Sequence, residues 1–250
     1  MPTSSKNRQH GEEARSVNQL APAEYEALTK QHYQDIGVAE KYREEYAGAL
    51  KLQSVPARIV ANRERRLIHA ALAIIAKKQG ATVPRVLDLP CGTGKLASVF
   101  AHFDFKVVAA DISRQMMEVA AREYRDLPGF IGFQQMDASA TKFADEEFDA
   151  VVCLRLLHRV PDAVRLAILA DLGRVSRRHV IVSVGLTNSF QEFRRQVRKT
   201  ITGTTTVPYP VTRSVFAGQL ASACLSPIRW TPVLPFVSSE WIVCCEKIRG

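Results

Sequence analysis

The sequence has no stretch of about 18 uncharged apolar residues, the length that a membrane-spanning helix needs. Its opening, MPTSSKNRQHGEEARS, is polar and carries acids, unlike a secretory signal. The chain is therefore expected to be soluble and cytoplasmic. The five cysteines, at 91, 153, 224, 244 and 245, show neither the paired spacing of a zinc site nor a plausible disulfide framework. They read as reduced and mostly buried, and no metal ligand is assigned. There is no internal repeat, and the one low-complexity patch is the threonine run at 204–206. The phosphate-gripping pattern G-x-x-x-x-G-K-[ST] is also missing: Leu89 stands five before Gly94, and Leu96 follows Lys95.

What is present is 250 residues, 46% of them apolar, enough for one ordinary domain with a small appendage. The formal charge of +9 fits either solubility or a nucleic-acid partner. Against nucleic acid, the basic region offers few aromatics for base stacking beyond Phe190 and Phe193, and no RNA-binding module is appended.

Residues 1–20 are polar and of mixed charge and read as a flexible tail. Residues 21–80 read as an N-terminal helical cap and first helix. Its first part is rich in tyrosine, and "SVPARIVANRERRLIHAALAIIAKKQG" forms a long amphipathic helix with Ile59, Leu67, Ala70, Ala71 and Ile74 at helical spacing. From 81 to 250 strands and helices alternate. "RVLDL", "KVVAAD", "FIGFQQMD", "FDAVVCL" and "HVIVSVG" read as strands. Between them, "GKLASVFAHF", "SRQMMEVAAREYRD" and "DAVRLAILADLGRVS" read as helices, with Ser113 as a candidate N-cap. This spacing argues for an α/β fold, a mostly parallel sheet with helices on both faces. A basic helix at 189–201, a helix at "TRSVFAGQLASACL" and an antiparallel closing hairpin at "IRWTPVLPFVSSEWIVCCEKI" complete it.

In such a sheet a ligand settles beyond the carboxyl ends of the strands. "VLDLPCGTGKLA" lies there: a strand, then Asp88, then Gly92 and Gly94, where bare backbone can bend and approach a ligand. The glycines alone leave three options open. They fit a generic turn; they fit the dinucleotide fingerprint G-x-G-x-x-A, with Asp111 about 20 residues on; and they fit a ligand carrying an ammonium group, which the Asp88 charge favours over a pyrophosphate.

"VLDLPCGTG" resembles the first motif, D-x-G-x-G-x-G, of the class I S-adenosylmethionine-dependent methyltransferases, with Asp88, Gly92 and Gly94 in place. "VVAADIS", "QQMDAS" and "FDAVVCLRLLHRV" resemble the later motifs in order, and the likeness covers roughly residues 82–185. It implies a Rossmann-like sheet of seven strands and S-adenosylmethionine as cofactor. It further implies that Asp111 takes the ribose hydroxyls, that Asp137 accepts from the adenine amino group, and that the Ala138 amide meets the ring. Asp149 starts the fourth strand. Cys91, Ile112, Met116 and Leu154 join the cofactor-binding set on the same grounds. Pro90 departs from the pattern: it replaces the first glycine and has no N–H to donate.

The implied reaction is in-line methyl transfer, in which positioning and exclusion of water supply much of the rate and a base is needed only for some nucleophiles. His158, in the loop after the fourth strand, is the candidate base; the alternative is that it caps or pins that loop. Arg155 either faces an anionic substrate or the cofactor carboxylate, or forms a structural ion pair. Tyr33, Tyr42 and Tyr46 either form an aromatic lid or simply pack. Arg194, Arg195, Arg198, Lys199 and Arg213 are either an anion-binding patch or a solvated face. The expected acceptor is a small or lipid-linked molecule, with an anionic one among the options. RNA or protein methylation, and cofactor binding without catalysis, are the rival readings.

Overall fold

A computed structural model describes residues 55–78, 82–187, 209–235 and 238–248. The tail at 1–20, the tyrosines of the cap and the basic helix at 189–201 lie outside these residues.

The chain order is α1 (Val55–Lys78), β1 (Arg85–Asp88), α2 (Ala97–Phe100), β2 (Lys106–Asp111), α3 (Arg114–Tyr124), β3 (Phe130–Gln135), β4 (Phe148–Cys153), α4 (Asp162–Val175), β5 (Ser176–Gly185), α5 (Arg213–Ser222), β6 (Leu225–Pro232) and β7 (Glu240–Lys247). The seven strands form one sheet in the order β3-β2-β1-β4-β5-β7-β6. β1 to β5 are parallel, and β7 enters antiparallel between β5 and β6. β6, on the outer edge, carries Pro227 at a register shift, where the missing N–H breaks no inner ladder.

Period-two alternation sends β2 residues to two different cores. Val107 and Ala109 pack with α1, α2 and α3, while Val108 and Ala110 pack with α4 and α5 on the other face. All four are buried, which is why "KVVAAD" reads as an apolar run rather than a half-polar strand. The chain winds outward from β1 to β3 and then returns to the other side of β1 as β4. The sheet thus has its switch point between β1 and β4, and the turn after Asp88 lies directly at it.

Two expectations are corrected. The buried stripe of α1 is Glu64, Ile68, Ala71, Leu72 and Ile75. Ile59 is 51% exposed and Ala70 lies on the outer side, so the stripe is turned by about one residue from the one that apolar spacing suggests. The cause is Glu64, a charged residue that the fold takes inside. The second helix is one turn, Ala97–Phe100: the glycine turn runs on to Leu96, which offers no capping side chain. By contrast Ser113 does cap α3, its Oγ accepting from the Met116 N–H at 3.2 Å. Among the described residues no helix is long and apolar enough to cross a membrane.

Leu72 is fully buried against the sheet, so Leu72→Ala is expected to destabilise the chain by about 2–5 kcal/mol, the cost of a core cavity. Ile59→Ala should cost less than about 0.5 kcal/mol. Urea unfolding of both variants checks the rotated stripe, and equal costs would contradict it.

Candidate functional site

The turn after β1 is built from backbone hydrogen bonds to its neighbours on both sides. Leu89 N–H donates to the Val152 carbonyl of β4 (3.0 Å), and Cys91 N–H donates to the Ala110 carbonyl of β2 (2.8 Å). Between these two anchors the chain has no use for a donor, and Pro90 stands there. Gly92 and Gly94 both adopt positive φ, +51° and +81°. Their surroundings differ. A Cβ on Gly92 would meet no protein atom within 4 Å, so this face of the turn is open; one on Gly94 would lie 2.9 Å from Glu123 Cβ and 3.2 Å from Ala120. Gly92 therefore supplies the open approach, and Gly94 lets α3 pack against the turn.

Asp111, at the carboxyl end of β2, is 5% exposed and organises this region. Its Oδ2 accepts from the Gly92 N–H (2.9 Å) and its Oδ1 from the Ser113 N–H (2.9 Å). Burial raises its pKa, and the same two amides work against that rise by bonding the charged form. Each carboxylate oxygen has a second lone-pair site, so Asp111 can accept two further hydroxyl donors beside the open face of Gly92. After β3, Asp137 Oδ1 accepts from Ser139 N–H (2.9 Å) and Oγ (2.8 Å), fixing a local turn with Ala138 buried inside it. Ile112 is half-buried and its carbonyl accepts from Gln135 Nε2 (3.0 Å); Met116 and Cys91 are buried, and Leu154 packs partly buried against the α1 core.

Asp88 is placed differently from the sequence expectation. It is 1% exposed beneath the turn, and its Oδ2 accepts from the Tyr124 hydroxyl of α3, itself fully buried. Burial pushes its pKa up to about 7, with the Tyr124 hydrogen bond opposing and the Asp111 charge adding to the rise. Its carboxylate thus supports the turn from below. Asp149 is the second residue of β4, after Phe148, and its Oδ2 accepts from the Arg85 N–H at 2.8 Å, at the opposite end of the sheet from the turn.

The loop after β4 brings charge to the ligand end. Arg155 has φ +58°, a strained value for a residue with a side chain. Its N–H donates to Ser183 Oγ (2.7 Å), and its guanidinium is ion-paired with the buried Glu64 of α1, Nε lying 3.0 Å from Oε1. This is the structural pair among its two expected roles. Lys95 lies near Arg155, Arg159 and Glu240; burial draws its pKa down to about 7, with the two arginines assisting. His158 is 7% exposed, and its Nδ1 has no partner among the described residues. Burial, then the charges of Arg159, Arg155 and Arg165, lowers its pKa to about 4. Its main-chain carbonyl accepts from the Tyr209 N–H (3.2 Å), which ties the backbone of the loop to the segment at Tyr209.

Sequence reasoning missed Glu64, Tyr124 and Arg165. Two of them left a legible signal. Glu64 stands four residues before Ile68 on the buried stripe of α1, and Arg165 stands three and four residues before Ile168 and Leu169 on that of α4. A charged residue in register with an apolar stripe is a buried group awaiting a partner.

Residues 86–179 match the family described as Methyltransferase domain. An O-methyltransferase of Penicillium expansum, cnsE, is 36% identical over 103 residues, covering 40% of this chain and 37% of that one. The chain thus spans under half the length of the curated relatives it matches. Among solved structures, magnesium protoporphyrin IX methyltransferase from Synechocystis PCC 6803 with bound S-adenosylhomocysteine superposes with a TM-score of 0.71 at 14% identity, covering 89% of this chain and 99% of that one. The 1,6-didemethyltoxoflavin-N1-methyltransferase of Burkholderia thailandensis gives 0.62 at 16% identity, covering 92% of each. These two likenesses show the fold.

Between its ordinary pKa of 3.8 and the folded value of about 7, Asp88 is ionised in the unfolded chain and protonated in the folded one. The unfolded state then binds fewer protons, so this group lowers stability as pH rises across that window. Relative to Asp88→Asn, the parent chain is expected to lose stability from about pH 4 to about pH 7 and to change no further above it. Urea unfolding of both across that range measures the difference; a pH-independent difference would mean that Asp88 keeps an ordinary pKa.

Proposed function

From the match of residues 86–179 to the Methyltransferase domain family, we propose that the chain is a class I, Rossmann-like methyltransferase that transfers the methyl group of S-adenosylmethionine to a small organic acceptor in the cytoplasm. The observation that carries this reading is the pairing of an open Gly92 face with the buried, doubly anchored carboxylate of Asp111. A vicinal diol needs a fixed double acceptor beside bare backbone, and the site offers both. A nicotinamide dinucleotide would share the diol, but in that reading the relatives named as methyltransferases have no place.

In this reading Asp111 holds the ribose hydroxyls, Gly92 allows the close approach, and Ile112, Met116, Asp137 and Ala138 line the adenine side. Cys91 and Leu154 complete the wall, while Asp88 acts through the turn it supports. The bound cofactor supplies an electrophilic methyl on a sulfonium, and charge is neutralised as the acceptor attacks. Orientation and removal of water therefore matter more than proton transfer. With His158 held near pKa 4 and its imidazole buried, the chemistry is best suited to an acceptor that ionises without its help.

The acceptor is anionic in this reading. Lys95, Arg155 and Arg159 gather beside Glu64 and Glu240 near the loop after β4, in a partly dehydrated region where a bound anion would draw the Lys95 amine toward its charged form. Such a cluster favours a carboxylate or phenolate over a cationic acceptor. A lipid-linked acceptor bearing such a group fits equally, and the basic residues at 194–199 extend the same charge in sequence.

Two measurements test this. Asp111→Ala is expected to weaken S-adenosylhomocysteine binding by about 1.5–3 kcal/mol, as when a charged hydrogen-bond partner is lost. Unchanged affinity by calorimetry in a folded variant would contradict the ribose assignment. Incubation with methyl-labelled S-adenosylmethionine and a panel of hydroxybenzoates, catechols and aliphatic acids, beside total RNA and protein, should place label in a small acid. Label in RNA alone would overturn the acceptor class, and tight binding without turnover on any acceptor would favour a binding protein without catalysis.

A further inference from the structure

The guanidinium of Arg165 is fully buried on α4, and each of its five N–H donors has an acceptor. Nε donates to the Leu157 carbonyl (2.8 Å). One terminal nitrogen donates to Asp162 Oδ1 (2.8 Å) and, over a longer 3.5 Å, to Gln219 Oε1. The other donates to the carbonyls of Val160 (3.2 Å) and Tyr209 (3.0 Å). Three of the five acceptors are thus main-chain oxygens from two separate segments. One is the loop after β4 that carries Arg155, His158 and Arg159. The other is the segment that re-enters the described fold at Tyr209.

Both segments are irregular and lie beyond the carboxyl ends of β4 and β5. The returning segment is fixed to β5 through Val211: its N–H donates to the Gly185 carbonyl (3.1 Å), and its carbonyl accepts from Thr187 N–H (3.0 Å). The carbonyls of Leu157, Val160 and Tyr209 lie outside any sheet ladder, and a buried carbonyl left without a partner is costly. Only a planar, five-donor group can reach all three oxygens at once; a lysine ammonium has three donors and no fixed fork. Burying a charge in this way is costly unless every donor is used, and here every donor is used.

Resting on the methyl-transfer reading above, we propose that Arg165 is the positioning residue of the acceptor side, locking the loop after β4 against the Tyr209–Val211 segment so that the acceptor is held in line with the cofactor. It touches neither molecule and acts through the two segments it joins. The cofactor side, built on Gly92 and Asp111, is anchored independently of it.

The test is Arg165→Lys in the full chain, with Asp162→Asn as a control that removes the exposed carboxylate partner but none of the backbone bonds. With S-adenosylhomocysteine as probe, calorimetry should give an affinity within about twofold of the parent for both variants. Hydrogen exchange at Tyr209 and Val211 should speed up by about tenfold or more in Arg165→Lys, while Cys91 and Gly94 keep their protection. On whichever acid of the acceptor panel the parent methylates, the acceptor KM should rise by about tenfold, more than kcat falls. If Arg165→Lys does not fold, Gln219→Met, which removes only the 3.5 Å acceptor, should show the same pattern at about twofold amplitude. Equal loss of cofactor binding and acceptor KM, or unchanged exchange at Tyr209 and Val211, overturns the proposal. A parent that binds S-adenosylhomocysteine yet methylates nothing defeats the methyl-transfer reading alone. The role of Arg165 in joining the segments is then decided by exchange, and its role toward an acceptor falls with that reading.

Discussion

The ligand end of this fold depends on one buried carboxylate. Asp111 stands where β2 leaves the sheet, and its two oxygens fix two different pieces of chain, the glycine turn after β1 through Gly92 and the start of α3 through Ser113. A carboxylate taken out of water must recover its hydration from the protein, and main-chain amides are the donors at hand. Satisfying Asp111 therefore also sets the turn's conformation. Gly92 can turn its amide inward at φ +51° because it has no side chain, and the space a side chain would take stays open. The same interaction that makes the charge tolerable shapes the open face beside it.

A second set of charges organises the other half of the site. The loop after β4 is irregular, carries a left-handed Arg155, and is held by groups that reach it from other elements: Ser183 of β5, Glu64 of α1 and Arg165 of α4. Regular structure would satisfy this loop's backbone more cheaply but would leave no shaped surface at the switch point. Side-chain donors and acceptors do here what ladders do inside the sheet.

Those two organising principles differ in how far the sequence reveals them. The strands were legible because both faces of the parallel sheet are buried, which turns β1, β2, β4 and β5 into apolar runs between helices. Asp111 was legible because its place at a strand end, about 20 residues past a glycine turn, follows from local spacing. The α1 stripe was misplaced, because Glu64 is inside only by virtue of Arg155, 91 residues away in sequence. Asp88 was read as a charge beside the ligand, and the fold sets it beneath the turn. That the hydroxyl of Tyr124, 36 residues on, lies beneath it follows from how α3 packs, and no local pattern encodes that packing.

Pro90 shows the distinction at a single residue. As a departure from the family pattern it looks like a lesion, since proline removes an amide from a turn whose amides matter. In the fold the amides that matter are those of its neighbours: Leu89 bonds to β4, Cys91 bonds to β2, and Gly92 bonds to Asp111. Three hydrogen bonds to two neighbouring strands meet within four residues, and position 90 is the one among them with no acceptor to serve. A residue with no donor and a fixed φ suits that place, because it withdraws a group that would otherwise need a partner in a crowded turn. The irregularity at Pro90 therefore leaves intact the Asp111 anchor on which the open face of Gly92 depends.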